Sequence, residues 1–139
     1  MKFNVALSML CLCVFASSAV AVENPLDGEW TITSMKIKGK ERKGRSESVF
    51  KVTGDTYTVT VGSAVIRGVC KTDDSKSPKH VDLITKDSQG RDAPALGIYK
   101  IDGDVLQICM KPSRGGKVGP RPTAFDSNQG TLMTYKRKT

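Results

Sequence analysis

The sequence predicts an all-β fold, an antiparallel barrel or sandwich of about eight short strands. Three observations point there. Apolar and polar residues alternate over short runs, as they do in half-buried strands. Turns rich in glycine and aspartate separate those runs. No stretch of useful length carries the helical period.

The segments justify themselves in order. Residues 29–38 place Trp30 and Ile32 on one face, then Met35 and Ile37 after a slip near Ser34. A one-residue slip is what a β-bulge produces. Residues 48–53 and 56–61 flank Gly54-Asp55, a hairpin turn, with Tyr57, Val59 and Val61 facing in. Residues 64–71 put Ile66, Gly68 and Cys70 on one face. Residues 72–79 are polar and hold Pro78, which reads as a loop; 80–85 follow as a short strand with Val81 and Leu83 together. Residues 95–101 and 105–110 are joined across Gly103, with Leu106, Ile108 and Met110 sharing a face. Residues 112–122 contain Gly115, Gly116, Gly119 and Pro120, a breaker-rich loop, and 132–136 form a last strand. No internal repeat interrupts this series.

Ahead of the domain, residues 1–21 read as a signal peptide. Lys2 supplies the charge, 5–15 the apolar run, and Ala19-Val20-Ala21 the small-x-small cleavage site. That run is short for a bilayer span. Leucines precede Cys11 and Cys13, so neither follows the small residue that a lipid anchor requires. The expectation is a secreted or periplasmic protein, a single domain over 22–139, with no membrane span. The chain carries a formal net charge of +8, which favours anionic partners.

Gly28-Glu29-Trp30 opens the first strand with the only tryptophan. A small barrel that admits a ligand at one end must be sealed at the other, and a large aromatic does this with one side chain. Gly28 and Trp30 are therefore read as structural residues of a barrel end. Together with "LDGEW" at Leu26, the stretches "PKHVDL" at Pro78, "GIYKIDGDVLQIC" at Gly97 and "RPTAF" at Arg121 resemble a family of small secreted lipocalin-like domains expanded in Planctomycetes. The resemblance implies an up-and-down lipocalin-like β-barrel. It implies no activity, since the family has no settled biochemical role.

The residues suggest no catalytic centre, cofactor or metal site. His80 is the only histidine, which leaves no second one for a metal cluster or an acid–base pair. No serine sits in a nucleophile elbow. Asp102 and Asp104 flank Gly103 where a turn requires such residues for backbone reasons. Cys70 and Cys109 lie on opposite strand phases and on strands that are not neighbours in an up-and-down order, so they are expected to be unpaired.

Two readings of function follow, and neither is enzymatic. In the first, the domain binds a small apolar ligand inside the barrel, lined by Phe50, Tyr57, Tyr99, Ile108 and Tyr135. In the second, the barrel is filled and the protein is a structural or interaction domain acting through its basic surface. There Lys36, Lys38, Lys40, Arg42, Lys43 and Arg45 would meet anionic envelope polymers, helped by Lys136, Arg137 and Lys138 if closure brings the chain ends together. No aromatic residues are interleaved with these charges, which argues against specific nucleic-acid binding.

Overall fold

A computed structural model describes residues 24–43 and 48–139. The signal-peptide reading and Arg45 lie outside the described residues. Nine strands follow one another: β1 (Gly28–Ile37), β2 (Lys40–Arg42), β3 (Ser48–Thr53), β4 (Thr56–Val61), β5 (Ala64–Asp73), β6 (Lys79–Lys86), β7 (Asp92–Asp102), β8 (Val105–Lys111) and β9 (Thr131–Arg137). Every pairing is antiparallel. Strands β1 and β3 to β9 run up and down, and β9 returns to pair with β1. The result is a closed eight-stranded lipocalin-like barrel with β2 as an added strand. The described residues contain no helix long and apolar enough to cross a membrane.

Closure depends on the phase slip in β1. Ile32 pairs with Tyr135 and Ser34 with Thr134, so Thr33 is the extra residue of a bulge. The bulge keeps Trp30, Ile32 and Met35 on the inner face while the strand bends. The hairpin turns of β3–β4, β4–β5 and β7–β8 each place a glycine first of two turn residues, with φ of 60°, 60° and 56° at Gly54, Gly62 and Gly103. Glycine there matches the right-handed twist of the flanking strands.

Three elements differ from the sequence-based expectation. Residues 40–42 form β2 rather than loop, because Lys38 and Gly39 adopt φ of 50° and 74° and turn the chain back on β1. Strand β7 begins at Asp92, before Pro94, rather than near Ala95. Proline is tolerated there because β8 pairs with β7 only from Leu96 onward, so one side of Pro94 has no ladder to serve. The segment after β8 is also more than a loop. It lies as a strap across the outer face of β6, β7 and β8, anchored by Arg121.

Arg121 donates from Nη1 to Asp82 Oδ1 at 2.6 Å and to the Gly97 carbonyl at 2.8 Å. Lys100 sits 4.5 Å from the Phe125 ring centroid, and Cys109 Sγ donates to the Asp126 carbonyl at 3.4 Å. Ile98 and Cys109 are buried although they face out of the barrel, since the strap covers that face.

Candidate functional site

The two barrel ends are built differently. At one end the chain segment before β1 crosses the opening and buries Leu26 completely. Trp30, also fully buried, donates its indole N–H to the Leu26 carbonyl at 2.9 Å. The Arg137 guanidinium lies 4.1 Å from the Trp30 ring centroid and donates to the Asp27 carbonyl at 3.1 Å. Gly28 has φ of 127°, and a Cβ there would stand 2.8 Å from Arg137 Nη1. Gly28 thus leaves room for the cation that caps the tryptophan. Asn24 and Asp27 tie the same segment to the β3–β4 turn through the Gly54 carbonyl and amide at 2.9 and 2.8 Å.

The opposite end is open. A cavity of about 410 Å³ descends from the mouth, within the usual range for small-molecule sites. Its floor is aromatic: Phe50 stands 5.9 Å from Tyr57 and 5.6 Å from Tyr135, centroid to centroid, in tilted arrangements. Ile32, Val59, Leu83 and Ala95 line the walls, and no charged side chain reaches the lining among the described residues. The polar residues of the lining, Ser48, Tyr57, Thr85, Ser113 and Tyr135, all carry hydroxyls. Burial pushes the Tyr57 phenol up to about 12, helped by the field of Cys70, and raises the Tyr135 phenol as well. Both rings therefore remain neutral across the physiological range. Tyr135 donates its hydroxyl to Met133 Sδ at 3.2 Å, so its polar tip is satisfied without water.

Of the residues expected to line a pocket, Phe50, Tyr57 and Tyr135 do so. Tyr99 and Ile108 do not line this cavity. They point inward three residues from the β7–β8 turn at the sealed end, in the same core cluster as Trp30, Val81 and Leu106. Alternation gives the face of a residue and not its depth. Sequence reasoning passed over Met35, Met110 and Met133, which all line the cavity. They are all the methionines of the described residues, and each falls on an inward phase. Their unbranched thioethers make this part of the wall more adaptable than its aromatic floor.

The basic residues do not form a single patch. Closure pairs Thr31 with Lys136 and Trp30 with Arg137, while Lys36 pairs with Leu132. The clusters are therefore about five residues apart along the strand, roughly 17 Å. Lys36, Lys38, Lys40, Arg42 and Lys43 are exposed at the open end. Lys136, Arg137 and Lys138 are at the sealed end, where Arg137 covers Trp30 and Lys138 lies 3.7 Å from Glu29. An antiparallel first and last strand brings opposite ends of the two segments together, so closure does not set the two clusters side by side.

Cys70 and Cys109 are unbonded and buried in separate places. Cys70 faces the core, where burial pushes its thiol up to about 11 against the Asn24 hydrogen bond. Cys109 lies under the strap, and burial raises its thiol too. No group of three or more His, Cys, Asp or Glu side chains among the described residues is placed to hold a metal. Compared with known proteins, the chain matches no protein-family model, no curated protein and no solved structure.

Proposed function

We propose that this domain is a non-enzymatic binding module that holds a small apolar ligand inside the barrel. One observation carries the reading: an apolar cavity of about 410 Å³, open at one end and closed below by packed side chains. Transfer of apolar surface into such a site contributes about 25 cal/mol per Å² removed from water. The aromatic floor is rigid and the methionine walls adapt, a combination that favours shape-tolerant apolar binding over recognition of one polar pattern. The tryptophan-capped end supports the same reading, since a sealed floor keeps water from entering behind the ligand.

The test uses N-phenyl-1-naphthylamine, an uncharged apolar dye that brightens on leaving water. The wild-type protein should bind it at one site. Ala93 lines the cavity near its mouth. An Ala93→Trp variant should lose most dye binding while melting within a few degrees of wild type. Native mass spectrometry of protein isolated from its own host should show a retained small molecule. Failure of the wild-type protein to bind the dye or to retain any molecule would refute the proposal.

A further inference from the structure

We infer that the ligand is an amphiphile with one alkyl chain and an anionic head, its tail in the barrel and its head held at the mouth by Lys38, Lys111, Arg114 and Lys117. This rests on the binding reading above and names the ligand class of the same site. A second cleft of about 490 Å³ adjoins the apolar cavity, and Pro112 lines both. The cleft contains these four cationic residues and no acidic one among the described residues. None of the four forms an ion pair among the described residues.

The backbone that carries these residues is fixed by the fold. The Lys38 amide donates to the Ser127 carbonyl and the Gly39 amide to Ser127 Oγ, both at 2.9 Å. These bonds fix the β1–β2 turn against the strap and set the two walls of the cleft. The stem of Lys111 packs on the strap backbone, where a Cβ on Gly119 would meet its Cδ and Cγ at 2.9 Å. Arg114 and Lys117 exchange two backbone hydrogen bonds of 3.0 Å across Gly115-Gly116. That pairing sets two basic residues opposite each other, and like charges so placed destabilise a strand pair. An anion between them removes the repulsion. Beside an apolar wall the attraction is also less screened than in open water.

The geometry thus separates the two parts of the ligand: an uncharged cavity for the tail and a charge-surplus cleft at its rim for the head. A polyanion would engage the cleft without using the cavity, and a neutral oil would use the cavity without the cleft.

Dodecanoate, dodecan-1-ol and acetate, each titrated at low ionic strength against the naphthylamine-loaded wild-type protein, distinguish these cases. Dodecanoate should displace the dye about tenfold more tightly than dodecan-1-ol, the factor expected of one charge-assisted contact. Acetate should not displace it. A Lys111→Met/Arg114→Gln/Lys117→Gln variant, which keeps the stem of residue 111, should bind dodecan-1-ol as the wild type does and lose the preference for dodecanoate. Equal affinity of the wild type for acid and alcohol overturns the inference while leaving apolar binding intact. So does a dodecanoate preference that survives in the variant. Absence of dye binding by the wild type instead removes the reading on which the inference rests.

Discussion

Trp30 joins three chain segments that are far apart in sequence: Leu26 below its N–H, Arg137 over its face and Phe50 across the strand pair. Trp30→Ala should therefore cost about 3–5 kcal/mol, as deletion of a fully buried large aromatic does. Chemical denaturation measures it, and an unchanged midpoint and slope would show that the seal is dispensable. The tyrosines make a second prediction. All three are buried, and burial, the main cause in each, raises Tyr57 and Tyr99 to about 12 and Tyr135 as well. A phenol whose folded pKa lies above its unfolded value of 10.0 adds stability that is complete below that value and is lost as pH rises toward the folded one. The melting temperature should fall above about pH 10. Phenolate absorbance should rise together with loss of the folded circular dichroism signal. Phenolate that appears while the fold persists would contradict this.

At the scale of elements, the strap does what neither β7 nor β8 can do alone, since it covers the outward Ile98 and Cys109. Its anchor links three stretches that are far apart in the sequence. Arg121 of "RPTAF" reaches Asp82 of "PKHVDL" and Gly97 of "GIYKIDGDVLQIC". "LDGEW" builds the sealed end. Of the residues in these four stretches, only Leu83 lines the cavity. These stretches therefore build the sealed end and the strap contacts, while the cavity lining is drawn almost entirely from other residues. Arg121→Ala should release the strap at a cost of about 1–3 kcal/mol, the range for losing a charged hydrogen-bonding partner. Alkylation of the folded protein reads the release: Cys109 should become reactive while Cys70, in the core, stays protected. Equal protection of both thiols in the variant would assign the anchoring elsewhere. In denaturant without reductant both thiols of the wild type should label, because they are unbonded.

For the whole molecule, closure separates the charge. The open end carries the exposed Lys36, Lys38, Lys40, Arg42 and Lys43, while the C-terminal basic residues belong to the sealed end. Retention on heparin should follow the open end alone. Reversing Lys38, Lys40, Arg42 and Lys43 to glutamate should remove most of the retention without loss of fold, because these side chains are exposed, and what remains should rest on Lys111, Arg114 and Lys117 of the mouth cleft. Neutralising Lys136 and Lys138 should change it little. Since exposed charges are screened over about 8 Å at physiological ionic strength, wild-type retention should disappear at moderate salt. Retention that depends equally on both clusters would require them to act on one surface, against the strand register.

Local alternation made most of the fold legible. It placed eight strands, assigned Phe50, Tyr57 and Tyr135 to the interior, located the bulge in the first strand and separated the phases of Cys70 and Cys109. Turn chemistry marked Gly54-Asp55 and Gly103, and a lone tryptophan behind a glycine marked the sealed end. These features depend on residues a few positions apart, and side-chain direction in a strand reverses at every step. Depth along the barrel axis is not encoded that way. It depends on strand stagger, on which ends meet at closure and on what lies across the outer face. Tertiary structure alone therefore put Tyr99 and Ile108 below the cavity and three methionines around it. It folded Lys40–Arg42 back as a strand, laid Arg121 over Asp82, and sent two basic segments to opposite ends of one molecule.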